Sequence, residues 1–193
     1  MRHLFFDTET TGLPENWKAP MTDLDNWPRV IQLAASAYED DGTLIDSFEI
    51  LIKPDGWEMP TDKFWTDNGF SQERSIQLGI PVNEALKEFI KYHDSCDTLV
   101  AHNISYDYNV LGAEMIRAKM RCNKVLMKFC TKDIGTDYCQ IEGPYGYKWP
   151  KLEELHFKLF GCDFVGAHQA GSDVEATAKC FFEMKKLGLI KIP

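Results

Sequence analysis

The chain has 193 residues, 44% of them hydrophobic and 26% charged, with a formal net charge of −9 at pH 7. This length suits one domain spanning residues 1–193, and the composition shows no sign of long disorder; export is not expected, since the N-terminus carries no basic-then-apolar pattern and no apolar run approaches a membrane span. The acidic balance excludes capture of a polyanion by overall field, so any nucleic-acid partner has to be held locally, by metal ions and a few cations.

The six cysteines are scattered without a CxxC pair or zinc-finger spacing, which points to free thiols in a reducing cytoplasm.

The first predicted element is a strand from His3 to Thr8. Side chains alternate along a strand, so Asp7 and Glu9 project from one face. Two adjacent acids at the end of an apolar strand repel each other and are costly to bury without a cation, and a hard divalent ion with oxygen ligands is the usual answer. Thr10, Thr11 and Gly12 are expected to break the strand into a tight turn. The segment from Gly12 to Pro28 reads as a long loop with Trp17 and Trp27.

Arg29 to Tyr38 and Thr43 to Ile52 read as strands joined by the turn Glu39-Asp40-Asp41-Gly42, which completes a meander. Lys53 to Gly69 reads as irregular. Helices are predicted for Ser71 to Leu78 and Val82 to His93, then a short strand for Thr98 to Ala101 and a helix for Ile104 to Arg121. A strand over Lys124 to Cys130 leads into a polar and aromatic connection that includes Tyr145, Tyr147 and Trp149. The last two helices span Lys151 to Phe160 and Asp173 to Leu187, ended by Gly161 and Gly188. Three antiparallel strands followed by strand-helix-strand describe an α/β fold: a mixed sheet with helices packed on it and a right-handed crossover.

Asp107 alone is adequately explained as a first-turn acid facing a helix dipole, and Asp173 as a cap or first-turn acid. His168 alone is more often structural than catalytic. Taken together, the stretches Phe6-Asp7-Thr8-Glu9-Thr10-Thr11-Gly12-Leu13, His102-Asn103-Ile104-Ser105-Tyr106-Asp107 and His168-Gln169-Ala170-Gly171-Ser172-Asp173 resemble, in order and in the His-x4-Asp spacing, the DEDDh group of 3'–5' exonucleases. That group includes the bacterial polymerase proofreading subunit and ribonuclease T. The resemblance runs from Phe5 to about Ala178.

The resemblance implies a ribonuclease H-like mixed five-stranded sheet, three strands as an antiparallel meander and two parallel, flanked by helices. It implies two divalent metal ions, Mg²⁺ or Mn²⁺, one held by Asp7, Glu9 and Asp173, with Asp7 bridging to the second and Asp107 completing the site. His168 is the implied general base, since an imidazole titrating near neutrality can take a proton from an attacking water. Gln169 stands where the related subgroup carries a tyrosine. Thr10 and Leu13 resemble the family's contacts to the 3' nucleotide, with Asn103 and Tyr106 flanking the second motif. Asn68-Gly69-Phe70 stands where many members carry His-Gly-Ile.

The expected reaction is release of nucleoside monophosphates from a free 3' end of single-stranded DNA or RNA. The alternatives are an RNA-trimming enzyme in place of a DNA proofreading or repair enzyme, and a non-catalytic nucleic-acid-binding module on the same fold. The first strand begins almost at Met1 and the last helix ends close to Pro193, which favours a free-standing enzyme; a polymerase partner or a homodimer is left open. Trp17, Trp27, Tyr145, Tyr147 and Trp149 are read first as packing or loop-pinning residues and second as stacking platforms for bases. In the basic run Arg117, Lys119, Arg121, Lys124, Lys128 and Lys132, the last two are the better phosphate ligands, because their strand runs back toward the acids.

Overall fold

The computed structural model describes residues 1–164 and 169–192. Its centre is a five-stranded sheet in the order β3-β2-β1-β4-β5. β1 (Arg2–Thr10), β2 (Val30–Glu39) and β3 (Leu44–Leu51) form the antiparallel meander, while β4 (Thr98–Ala101) and β5 (Met127–Cys130) run parallel to β1 and to each other. This is the mixed sheet expected of the ribonuclease H-like fold.

The central position of β1 explains its composition. Leu4 and Phe6 face one core with Leu33, Leu86, Phe89 and Leu111, whereas Phe5 faces the other with Ala34, Val174, Phe181 and Met184. A strand covered on both faces reads as continuously apolar, and Leu4, Phe5 and Phe6 are all about fully buried. The first core is closed by α3 (Val82–Ser95) and α4 (Ile104–Arg117), the second chiefly by α6 (Leu152–Phe160) and α7 (Ala170–Lys186). The remaining helices are α1 (Lys63–Asp67), α2 (Gln72–Leu78) and α5 (Thr131–Cys139), and a two-stranded ribbon pairs β6 (Glu142–Gly143) with β7 (Gly146–Tyr147). Among the described residues no helix is long and apolar enough to cross a membrane.

Several boundaries differ from those expected. β1 continues through Glu9 to Thr10, with a register shift between these two, so the chain turns only after Thr10. α4 stops at Arg117, four residues early. Lys119 takes the left-handed conformation (φ 54°), and the Lys119 and Met120 amides return to the Ile116 and Met115 carbonyls, a paired closure that ends the helix without a glycine. β5 begins at Met127 rather than Lys124. α7 starts at Ala170, three residues before Asp173, which therefore lies within its first turn. α1, α5 and the β6–β7 ribbon are additional to the predicted elements. By contrast Gly161 (φ 72°) and Gly188 (φ 73°) end α6 and α7 in the left-handed conformation, as their positions predict.

Candidate active site

Asp7 and Glu9 leave β1 on the face covered by α7, and Asp173 comes to them from the first turn of that helix. One carboxylate oxygen from each of the three lies within 4.8 Å of the others. Asp107 approaches from α4 on the opposite face. It is buried, and its Oδ1 accepts the Thr8 backbone amide (3.1 Å) and the Thr8 hydroxyl (2.7 Å). Alternation along β1 thus splits the work: the odd positions present acids, and Thr8 between them holds the fourth acid in place. His168, the expected base, lies outside the described residues.

The start of α7 is fixed by a chain of polar contacts. The Ala170 amide donates to Gln32 Oε1 (3.1 Å), and Gln32 Nε2 donates to Glu49 Oε1 (2.5 Å). Gln32 is the register partner of Glu9, so one residue of β2 couples the strand acids to the helix that carries Asp173. Its signal in the sequence is a lone polar residue in the apolar run Val30-Ile31-Gln32-Leu33-Ala34, and it is buried. Gln169 Nε2 donates to the Asn68 carbonyl (2.7 Å), which ties the residue before α7 to the end of α1.

Beyond the acids the chain forms a braced turn. The Thr10 hydroxyl, the Tyr106 hydroxyl and the Gly12 carbonyl form a three-oxygen cluster, with both hydroxyls 2.8 Å or less from Gly12 O. Two protons serve three short contacts there, so the cluster holds the backbone at Gly12 firmly. Trp65 of α1 donates its indole N–H to the Thr10 carbonyl (2.9 Å), a contact within a stretch whose sequence reads as irregular. Leu13 is exposed beside this turn, and the Trp17 ring lies 5.6 Å from the Tyr106 ring. Asn103 stands at the entry to α4 in the left-handed conformation (φ 74°). Trp27 is a loop-pinning residue, buried with its indole N–H on the Pro20 carbonyl (3.0 Å). Arg117 Nη2 donates to the Leu24 and Trp27 carbonyls, so this member of the basic run is committed to the loop.

The acids repel one another. Burial, followed by the charges of Asp173 and Asp107, raises Glu9 to about 7. Burial also raises Asp107 to about 7, against the lowering effect of its Thr8 donors. Asp7 is raised well above the carboxylate range, by burial first and then by Asp107, Asp173 and Glu9. A cluster of hard oxygen donors under mutual repulsion fits a divalent cation of the Mg²⁺ or Mn²⁺ type.

These shifts set the sign of a pH dependence. A carboxyl raised in the folded state stabilises the fold fully below its unfolded value, and that contribution is lost as pH climbs through the folded value. The metal-free protein is therefore expected to lose stability between about pH 6 and 8. His3, His93 and His102 are depressed, chiefly by burial, and oppose this only below their unfolded value of 6.5. The difference in thermal midpoint between wild type and Glu9→Gln, followed over this range, isolates the effect. It should widen in favour of Glu9→Gln as pH rises; a constant difference would contradict it.

A central mixed sheet, a βαβ crossover and four acids converging from β1, α4 and α7 define a ribonuclease H-like fold built around a carboxylate cluster. The family model described as exonuclease matches residues 4–181, and the chain belongs to that family. No curated protein sequence gives a significant match. Among solved structures, E. coli exonuclease I in complex with a dA16 oligonucleotide superposes with a TM-score of 0.75 at 19% identity, covering 96% of this chain and 41% of that one. The same enzyme in complex with a dT13 oligonucleotide gives 0.73 at 18%, covering 97% and 42%. A moderately thermophilic exonuclease I from Methylocaldum szegediense gives 0.71 at 19%, covering 96% and 40%. The chain thus spans about two fifths of the length of these proteins, and at this identity the likeness establishes the fold.

Proposed function

We propose that this chain is a divalent-metal-dependent exonuclease that removes nucleoside 5'-monophosphates from the 3' end of single-stranded nucleic acid. The observation that carries the reading is the convergence of Asp7, Glu9 and Asp173 within 4.8 Å, with Asp107 beside them, in a chain of the exonuclease family. Asp7, Glu9 and Asp173 would hold one Mg²⁺ or Mn²⁺, and Asp7 with Asp107 would share in holding a second. Such a pair supplies positive charge to the attacking and leaving oxygens of the phosphodiester.

The chain's own residues do the rest. Thr8 keeps Asp107 aimed by two hydrogen bonds, and Gln32 keeps the α7 start against β1. His168, set by its spacing from Asp173, would take the proton of the attacking water. Thr10 to Leu13, braced by Tyr106 and Trp65, would seat the terminal nucleotide, with Leu13 against its base.

Single-stranded DNA is the favoured substrate, because exonuclease I of the same fold is known in complex with dA16 and dT13 oligonucleotides. The test is a time course with Mg²⁺ or Mn²⁺ on matched single-stranded DNA, single-stranded RNA and duplexes with 3' overhangs. Stepwise shortening of 5'-labelled single-stranded DNA with monophosphate release is expected. Faster shortening of RNA would transfer the reading to an exoribonuclease. Binding without any release from all three would leave a non-catalytic nucleic-acid-binding module.

A further inference from the structure

Two residues far apart in the sequence meet at the start of α4. Lys132, in the first turn of α5, lies with its ammonium 4.1 Å from the centre of the Trp149 ring and 2.7 Å from Asn103 Oδ1. Trp149 is 65% exposed although a cation lies over its ring, which leaves the side chain open to a second planar group.

The assembly is anchored from below. His102 Nε2 lies 3.0 Å from the Pro150 carbonyl, which can only accept, so that nitrogen carries the proton and Nδ1 accepts from the Thr131 hydroxyl (2.9 Å). Burial lowers His102 to about 4, so the ring stays neutral and this arrangement persists. One imidazole thereby joins the residue after Trp149 to the residue before Lys132.

The position relative to the acids gives this platform its meaning. Asn103 caps α4 four residues before Asp107, so about one turn of the helix separates the two. It is also three residues before Tyr106, whose hydroxyl donates to the Gly12 carbonyl of the turn that would seat the terminal nucleotide. An ammonium has three donors; Asn103 takes one and the indole face engages another, which leaves one for a phosphate oxygen. In a chain of net charge −9, such a cation at the start of the helix that carries Asp107 is where a polyanion gains local hold.

We propose that Trp149, Lys132 and Asn103 form a second nucleotide subsite, which stacks the base and binds the phosphate of a nucleotide on the 5' side of the scissile bond. It rests on the exonuclease reading and adds to it a dependence on substrate length. The test compares KM and kcat on single-stranded deoxyoligonucleotides of two, four and eight residues for wild type, Trp149→Ala, Trp149→Phe and Lys132→Gln. KM of wild type should fall as the chain lengthens from two to four residues. Trp149→Ala should remove that fall, raising KM for the tetranucleotide about tenfold, and Trp149→Phe should restore most of it. Lys132→Gln should reduce the slope of log KM against log salt by about 0.7, one phosphate contact on a single strand.

A tetranucleotide KM within twofold of wild type in Trp149→Ala would overturn the proposal. So would a loss in Trp149→Ala that falls on kcat and is equal at every length. If wild type releases no nucleotide, the exonuclease reading fails by itself, and fluorescence anisotropy with a labelled octanucleotide decides the subsite. About tenfold weaker binding by Trp149→Ala supports it, and equal binding overturns it.

Discussion

Replacing Asp7 by asparagine is expected to lower turnover by roughly a thousandfold or more while raising the thermal midpoint of the metal-free protein. The two effects have one origin. Asp7 faces the three other acids of the site, and its carboxyl is raised by burial first and then by the charges of Asp107, Asp173 and Glu9. Once ionised, that carboxylate opposes folding and serves only to attract cations. Asparagine keeps the shape and an acceptor oxygen but removes the charge, so the metal-free fold should gain roughly 1–3 kcal/mol. In a chain of this size each kcal/mol is worth about 2–4 °C. Stabilisation by added Mg²⁺ or Mn²⁺, clear for wild type, should largely vanish in the variant. Differential scanning fluorimetry with and without metal, beside a nucleotide-release assay, reads both. A lower metal-free midpoint would give Asp7 a structural role, and turnover within tenfold of wild type would remove it from the chemistry.

Much of the sheet is legible in the sequence because β1, β2 and β4 are buried on both faces and read as short apolar runs closed by turn residues. Gly42, Gly161 and Gly188 are equally legible, since each occupies a left-handed position where the chain reverses or a helix ends. The elements absent from the sequence reading share a different cause. α5 carries Gly135 in its middle, a poor helix former, yet a β-carbon there would come within 2.8 Å of the Leu155 side chain. Close packing against α6 requires the glycine and overrides the propensity. α1 is five residues long, too short to show a period, and α4 stops at Arg117 because Lys119 beyond it is left-handed, which composition does not announce.

The site divides in the same way. Asp7 and Glu9 are legible from alternation alone, because two acids on one face at the end of an apolar strand are hard to explain otherwise. Asp107 and Asp173 become legible only through the resemblance, and the structure brings both to the strand pair. What holds them there is tertiary: Thr8 on Asp107, Gln32 on the α7 amide and Trp65 on Thr10 each join residues more than fifty positions apart. Pattern and spacing carry no signal for such contacts. Lys132 and Trp149 illustrate the limit, since each is readable as a candidate ligand, but only the fold sets one over the other.

Replacing Glu114 by alanine is expected to be the most destabilising single change near the site, at about 3–5 kcal/mol, a fall in midpoint of roughly 10 °C. Glu114 is 1% exposed on α4, and two guanidinium groups converge on it. Arg29 donates from Nε (2.6 Å) and Nη2 (3.2 Å), Arg117 lies 3.2 Å away, and the Val30 amide adds a third approach at 3.3 Å. Removing the carboxylate would leave two confined cations facing each other and a buried amide without its acceptor. The damage should reach the substrate seat by a short route. The Arg29 carbonyl accepts the Thr11 amide (2.9 Å), and the Arg29 amide donates to the Thr11 hydroxyl (3.0 Å), so the start of β2 and the turn after Thr10 move together. Arg117 in turn pins the loop at Leu24 and Trp27. Glu114→Ala should therefore raise KM more than it lowers kcat, at temperatures where the variant remains folded. Glu114→Gln, which keeps the acceptor but not the charge, should cost about half as much. Because the residues act as one network, Glu114→Ala and Arg117→Ala should combine to less than the sum of their separate effects. Thermal or urea unfolding of the two singles and the double closes the cycle, and strict additivity would show that the three charges act independently.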